Sequence, residues 1–142
     1  LDMGPDGLGL VKLADAADAS LEKLREKLGT GDIRESSCAP PVTREADWGS
    51  LVVYVDAKSV VGYLYLIGEA GPDLRTDTGL GKGATVAGLR AAYGSKLQFS
   101  DSAAGGSVFE IKLPNATLGG YADGTSDGDK VVSILVGQDC GE

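Results

Sequence analysis

Histidine, the side chain most often used for catalysis near neutral pH, is absent from the chain. Its absence removes Ser-His-Asp and Cys-His nucleophiles, histidine general acid–base catalysis and histidine metal ligation. Ser20 and Lys23 match the Ser-x-x-Lys acylation motif, but neither Ser-Asp-Asn nor Lys-Thr-Gly accompanies them. We therefore expect Ser20 and Lys23 on the solvent side of a helix, and the sequence predicts no catalytic residue.

A glycine-rich segment, Gly79–Thr85, resembles a phosphate-binding loop. A P-loop needs glycine, four residues, and then Gly-Lys-Ser/Thr, because the lysine and the hydroxyl contact the phosphates and magnesium. Here Lys82 is followed by Gly83, and Thr76 stands where the first glycine should be. The segment is more typical of a turn that leads into a helix, and we expect no cofactor.

A second segment, Asp123–Asp129, has oxygen-bearing side chains at alternate positions and a glycine at 128, as a calcium loop begins. The twelfth position of such a loop needs a bidentate carboxylate, and Ile134 stands there. No helices are predicted on either side. The pattern favours a plain hairpin turn and no metal site.

The two cysteines, Cys38 and Cys140, lie in polar, turn-like contexts and not in a CxxC pair, which gives no support to a zinc or redox motif. A Cys38–Cys140 disulfide would close a loop of about 100 residues and stabilise the fold by up to ~4.7 kcal/mol in the chain-entropy model. The alternative is two free thiols in a reducing compartment. We favour the disulfide, and with it an oxidising compartment.

Composition limits the remaining possibilities. The 142 residues suit a single domain (1–142), with 42% hydrophobic residues and 22 glycines between short apolar runs. The net charge of −8 repels nucleic acids and anionic lipids. No apolar run is long enough to be a transmembrane segment. The start at Leu1 is unlike a translation start, so we expect that a targeting segment has been removed.

The first predicted element is a helix over residues 16–28, with Asp15 as its N-cap and Gly29 as its stop signal. Its apolar residues recur on one face: Ala17, Leu21, Leu24 and Leu28. Residues 30–46 are polar and predict a connection. Two strands, Trp48–Val55 and Val60–Ile67, then form a predicted hairpin around a turn at 56–59. Both faces of this hairpin are apolar, so part of it should be covered on both sides.

The second half repeats this order. Thr85 is the predicted N-cap of a helix whose apolar face holds Val86, Leu89 and Tyr93, and Gly94 ends it. Four strands are predicted after it: Leu97–Phe99, Val108–Leu113, Thr117–Ala122 and Val131–Val136. Gly7-Leu8-Gly9 also matches Gly79-Leu80-Gly81. The pattern predicts an α+β fold of two related repeats, at about 1–70 and 71–142, each a helix packed on an antiparallel sheet.

A resemblance supports this interpretation. The run Gly79–Gly94, the segment Asp47–Leu51 and the ending at Cys140 resemble phrases found in secreted proteins and lipoproteins of high-GC Gram-positive bacteria, most without an assigned function. The duplicated order of helix and sheet is similar to the beta-lactamase inhibitor protein family and to small outer-membrane assembly lipoproteins. The resemblance implies a secreted or lipid-anchored protein at the cell surface.

Together these features favour an extracytoplasmic protein-binding or structural module whose partner is another protein or a cell-envelope component. The alternative is a small cell-envelope enzyme or protein inhibitor that uses carboxylates. A pocket with paired carboxylates would favour an enzyme, and an open aromatic sheet face would favour binding. The candidate binding surface consists of the strand aromatics Trp48, Tyr54, Tyr63, Tyr65 and Tyr121.

Overall fold

A computed structural model describes residues 2–36, 42–101, 105–114 and 116–137 of the chain. The described part is mixed α and β, as the sequence predicts, with two α-helices and ten strands. The helices are α1 (Ala17–Leu28) and α2 (Val86–Tyr93), and a 3₁₀ turn (Gly94–Lys96) follows α2. The strands are β1 (Asp2–Met3), β2 (Asp32–Glu35), β3 (Arg44–Asp47), β4 (Leu51–Val55), β5 (Val60–Leu66), β6 (Arg75–Thr76), β7 (Leu97–Asp101), β8 (Ser107–Leu113), β9 (Ala116–Ala122) and β10 (Val131–Gly137).

Eight of these strands form one continuous antiparallel sheet in the order β2-β3-β4-β5-β10-β9-β8-β7. Each half of the chain supplies four consecutive strands, and the halves meet where β5 pairs with β10, with Leu64 opposite Leu135. The predicted hairpin corresponds to β4 and β5, where Val53 lies opposite Tyr63. Strands β1 and β6 form a separate parallel pair.

Helix α1 lies where the sequence predicts it. Leu21 and Leu24 are buried on its inner face, and Gly29 ends it with a positive φ of 97°. The expectation that Ser20 lies on the solvent side is wrong, because Ser20 is buried (3% exposed), whereas Lys23 is exposed. The predicted cap is wrong: the N-cap is Ala16, which provides no side-chain hydrogen bond. The Asp15 carboxylate instead accepts a hydrogen bond from the Lys12 backbone N–H at 2.9 Å, so it stabilises the preceding turn.

Helix α2 also follows the prediction. The Thr85 hydroxyl accepts a hydrogen bond from the Gly88 backbone N–H at 3.3 Å, which satisfies one of the free donors of the first turn. Val86 and Leu89 are buried, and Gly94 ends the helix with a φ of 55°.

Both helices begin against the start of the last strand of their own half. Ala16 bridges to Ser59 just before β5, and Thr85 bridges to Lys130 just before β10. In each case the first helical N–H donates to the carbonyl one residue before the bridge: from Ala17 to Lys58 and from Val86 to Asp129, both at 2.9 Å. These bonds hold both helices on the sheet.

The polar stretch 30–46, predicted to be a connection, contains strands β2 and β3. Asp32 pairs with Asp47, Ile33 with Ala46 and Arg34 with Glu45. The segment before Leu51 also differs from the prediction, because Trp48 lies in the turn between β3 and β4, where its backbone N–H donates to the Leu51 carbonyl at 2.8 Å.

The main core lies on one face of the sheet, between the sheet and the two helices. Residues of the two halves pair directly on this face, as Tyr65 does with Ile134 and Tyr63 with Val136. Leu21 and Leu24 of α1 and Leu89 of α2 belong to the same buried cluster. One core therefore joins the two halves, and the opposite face of the sheet carries no described helix.

Candidate functional site

Three of the five predicted surface aromatics are part of the main core. Trp48, Tyr63 and Tyr65 are 9%, 1% and 2% exposed and lie on the helix-bearing side. The Trp48 indole N–H donates to the Gly29 carbonyl at 3.0 Å, and the Tyr63 hydroxyl donates to the Gly4 carbonyl at 2.8 Å. The Tyr65 hydroxyl accepts from the Leu74 backbone N–H at 3.2 Å. These three side chains stabilise the fold and do not form an exposed surface.

The other two predicted aromatics point to the opposite face. Tyr54 is 5% exposed and belongs to a small second cluster with Val42 and Val52. This cluster confirms that part of the β4–β5 hairpin is covered on both sides. Tyr121, in β9, is only partly buried. Of the five, Tyr121 is therefore the one that remains available on a surface.

We call the surface opposite the helices the helix-free face. Two rows of residues that pair across the strands define it: Val52, Leu64, Leu135, Gly119 and Glu110 in one, and Leu66, Ser133, Tyr121 and Val108 in the other. Six partly exposed apolar residues on this face form what we call the apolar strip: Val61, Leu64, Leu66, Leu135, Tyr121 and Val108. The strip spans both halves of the sheet.

The strip opens into a groove in the second half of the sheet. The groove has a volume of about 470 Å³ and is also lined by Pro5 and Leu13 from the start of the chain. Its walls on the helix-free face are formed by Val108, Glu110, Thr117, Gly119, Tyr121 and Leu135. Gly119 removes a side chain from the floor between Glu110 and Leu135, which it pairs with on either side. Glu110 is the one carboxylate among the described residues that line the groove.

The opposite end of the helix-free face is charged. Arg34 in β2 contacts Asp32 at 3.0 Å, Glu45 at 2.7 Å and Asp47 at 3.0 Å. The hydrogen bond with the Asp47 carboxylate is the largest cause of the raised pKa of Arg34, and Glu45 adds to it. Three carboxylates around one guanidinium leave this corner with a net negative charge.

A smaller polar hollow of about 130 Å³ lies beside the Tyr65 hydroxyl. Glu69, Asp73 and Lys82 line it, and all three are exposed. Asp73 Oδ1 lies 3.5 Å from the Tyr65 hydroxyl oxygen. The hollow brings together carboxylates and an amine, but it is open to solvent and does not exclude water.

The loop with calcium-like spacing is held by internal contacts. The Arg90 guanidinium of α2 contacts the Asp127 carboxylate and the Thr125 carbonyl, each at 2.5 Å, and lies over the Phe99 ring. The Asp129 carboxylate accepts from the Ser126 backbone N–H at 3.0 Å. In the ranges that the structure describes, no three acidic or cysteine side chains lie close enough together to hold a metal ion.

The predicted disulfide cannot be placed, because Cys38 and Cys140 both lie outside the described residues. The sequence did not predict the groove residues Val108, Glu110, Thr117, Gly119 and Leu135 as a site. The signal in the sequence that could have indicated this site was the Gly119-Gly120 pair inside a predicted strand. Glycine inside a strand weakens it and often marks a place where a ligand or another backbone approaches closely.

No family model, curated protein or solved structure matches the chain. Within the described residues, no helix is both long enough and apolar enough to cross a membrane.

Proposed function

We propose that this protein is an extracytoplasmic protein-binding module whose docking surface is the helix-free face of the sheet. The observation that carries the proposal is the apolar strip, which crosses both halves of that face. The described helices cover only one face of the sheet. An antiparallel sheet can leave its second face to water, but that face then normally carries polar side chains, and here it carries the apolar strip. Contiguous exposed apolar surface with a polar rim is typical of interaction sites.

The charge supports a protein partner. A net charge of −8 and the carboxylates around Arg34 repel phosphate backbones and anionic lipid surfaces. Apolar contact at the centre and charged residues at the edge are instead the usual composition of a protein–protein interface. Another protein, or a protein component of the cell envelope, is therefore the partner class we favour.

Binding explains the groove better than the alternative of carboxylate catalysis does. General acid–base chemistry with two carboxylates needs both to face one substrate, and the groove contains Glu110 alone. Glu69 and Asp73 share the smaller hollow but are exposed, so they lack the water exclusion that tunes catalytic carboxylates. We therefore favour a binding protein over an enzyme.

The location and ancestry of the protein belong to the same proposal. Helix followed by four antiparallel strands occurs twice in the described chain, and the bridges Ala16–Ser59 and Thr85–Lys130 are placed alike. This correspondence supports a tandem duplication of the kind seen in the beta-lactamase inhibitor protein family. The resemblance to secreted proteins and lipoproteins, together with the predicted disulfide, supports an extracellular or cell-surface location.

Site-specific photo-crosslinking tests the docking surface. A crosslinking amino acid is placed at Gln98 or Thr117, both exposed on the helix-free face, and at Lys23 on the outer side of α1 as the control. After incubation with the secreted and envelope fractions, we expect the same protein band from Gln98 and Thr117 and none from Lys23.

The variant Leu135→Asp provides the specificity control, since it puts a charge in the middle of the apolar strip. We expect it to abolish the band obtained through Thr117, with unchanged circular dichroism showing that the fold is kept. Bands of equal strength from Lys23, or bands that persist in Leu135→Asp, would contradict the proposal.

A further inference from the structure

We infer that the groove in the second half of the sheet binds an extended segment of a partner protein, with an aliphatic side chain seated over Gly119 and a basic residue beside Glu110. The inference rests on the proposed function, which concerns the whole helix-free face. It adds the position of the anchor and the chemistry of the segment that fills it.

The first half of the sheet shows how this face accepts an aliphatic side chain. Tyr54 and Tyr121 occupy matching places, each in the third strand of its own half and each on the helix-free face. Tyr54 is buried in a cluster with Val42, which comes from the connection between β2 and β3. Tyr121 is partly exposed and borders the groove. The chain therefore fills the first position with its own valine.

The residue two positions before each tyrosine strengthens the comparison between the two halves. Val52 precedes Tyr54 by two positions and is 8% exposed, whereas Gly119 precedes Tyr121 by two positions. Each lies on the helix-free face, opposite Leu64 and Leu135 respectively. The second half thus lacks the aliphatic side chain that the first half has at this place. The resulting groove of about 470 Å³ is of the size of ligand clefts, which span roughly 300–1,000 Å³.

The backbone does not require glycine at position 119. A Cβ on Gly119 would meet no atom closer than 3.4 Å, the nearest being the Phe109 carbonyl oxygen, and its φ is not in the left-handed region. A larger residue could stand there without strain. The space over Gly119 is therefore a feature that a substitution can fill, which makes it testable.

The charge of the groove selects the flanking residue of the segment. Glu110 is exposed at the rim, and its contact with Lys112 is 3.7 Å between exposed side chains. Such a pair contributes only ~0–1 kcal/mol, so an incoming cation can replace it. The net charge of −8 also attracts basic segments and repels a second copy of the same chain.

Three synthetic peptides test the inference by ¹⁵N–¹H correlation spectra of the folded protein. The first repeats Val-Ser-Lys-Ser, which puts valine and lysine on the same face of an extended chain. The second has glutamate in place of lysine, and the third has glycine in place of valine. We expect only the lysine–valine peptide to shift the Gly119 and Tyr121 signals in a saturable way. Equal binding of the glutamate–valine peptide, or of the lysine–glycine peptide, would overturn the inference.

Two variants locate the site. Gly119→Val fills the floor of the groove and should weaken binding of the lysine–valine peptide at least about tenfold. Gly119→Ala should have an intermediate effect. Glu110→Lys should weaken binding of this peptide by about threefold or more. Glu35→Lys, which makes the same charge change at an exposed residue of β2, should leave binding unchanged. Unchanged affinity in both Gly119→Val and Glu110→Lys would overturn the inference.

The outcome also separates this inference from the proposed function. Peptide shifts confined to Val61 and Leu64 would overturn the groove as the anchor while leaving the helix-free face as the docking surface. If no peptide shifts any signal of that face, the anchor chemistry is wrong, and the crosslinking from Gln98 and Thr117 then decides the proposed function independently.

Discussion

A single glycine determines how the core of the second half is packed. Gly120 in β9 lies opposite Phe109 in β8, whose ring occupies the space that a Gly120 side chain would need. The matching pair in the first half is Val53 opposite Ala46. The larger side chain of the pair is thus on the third strand of the first half and on the second strand of the second half. In each half it fills the space under the helix.

Gly120→Ala should destabilise the protein by roughly 1–3 kcal/mol, because the core there has no room for one more methyl group. The added Cβ would collide with the Ser133 carbonyl oxygen and lie 2.6 Å from Cζ of Phe109. Urea unfolding measures the change. Gly119→Ala, on the opposite side of the same strand, is the control and should remain close to wild type. Equal stability of the two variants would show that the ring is not packed against Gly120.

Tyr63 makes the stability of the protein depend on pH in the alkaline range. Its side chain is buried, and burial raises the pKa of the phenol above the ordinary value of about 10, because the charged form is the less favoured one in the core. Below about pH 10 this contribution to stability is complete. Above it the unfolded chain binds fewer protons than the folded one, so the free energy of unfolding falls as the pH rises.

We expect urea unfolding, measured from about pH 9 to about pH 11.5, to show that the free energy of unfolding falls above about pH 10. The loss should be up to about 1.4 kcal/mol per pH unit. Tyr63→Phe should cost about 0.5–1.5 kcal/mol at pH 8 through the lost hydrogen bond to the Gly4 carbonyl, and its alkaline decline should be shallower. Identical slopes for the variant and the wild type would rule out Tyr63 as the source.

The aromatic residues also show what sequence can predict at the residue scale. Alternation correctly placed Leu51 and Val53 on one face of the first hairpin and Val52 and Tyr54 on the other. It could not tell which face the helices cover. Tyr63 and Tyr65 were therefore assigned to a binding surface, although they lie in the main core.

At the element scale, helices α1 and α2 were predictable because apolar spacing and glycine stops agree. Strands β2 and β3 were not, because six of their eight residues are charged and only Ile33 and Ala46 are apolar. Charged side chains protect an exposed sheet edge from further pairing. The same property hides β2 from a search for apolar alternation.

Leu24→Ala tests the packing of α1 on the sheet. Leu24 is fully buried, so its truncation should cost roughly 2–5 kcal/mol through lost apolar contact and the cavity left behind. Chemical denaturation measures the loss. Lys23→Ala, one residue earlier on the exposed side, should change stability by less than about 0.5 kcal/mol. A small effect at Leu24 would mean that α1 is not held by this face.

At the scale of the whole molecule, one core and one sheet join the two halves, while the helix-free face holds the apolar strip and the groove. The sequence predicted the class of fold, but not the groove. Its walls come from β8, β9 and β10 and from Pro5 and Leu13 near the start of the chain. Only the register of the three strands brings Glu110, Gly119 and Leu135 into one row. Long-range pairing of this kind leaves no local pattern in the chain.

The sheet also brings together described residues that lie near the two cysteines in the sequence. Gly137, the last described residue of β10, pairs with Gly62, and Gly62 pairs with Tyr54, which contacts Val42. Neighbouring strands lie about 4.8 Å apart, so Gly137 and Tyr54 are separated by about 10 Å. Cys140 follows Gly137 by three residues, which span at most about 10 Å, and Cys38 precedes Val42 by four. The Cys38–Cys140 disulfide stays a prediction, because both cysteines lie outside the described residues.

We expect protein folded in an oxidising compartment to contain this disulfide. Its intact mass should rise by about 2 Da on reduction, one hydrogen atom for each sulfur, and native protein should resist alkylation until reduced. Reduction should lower the unfolding free energy by up to ~4.7 kcal/mol, because the unfolded chain regains the entropy of a loop of about 100 residues. The double variant Cys38→Ser/Cys140→Ser controls for the reductant and should match the reduced protein. Two thiols that alkylate in the native, air-exposed protein would contradict the disulfide and weaken the argument for an extracytoplasmic location.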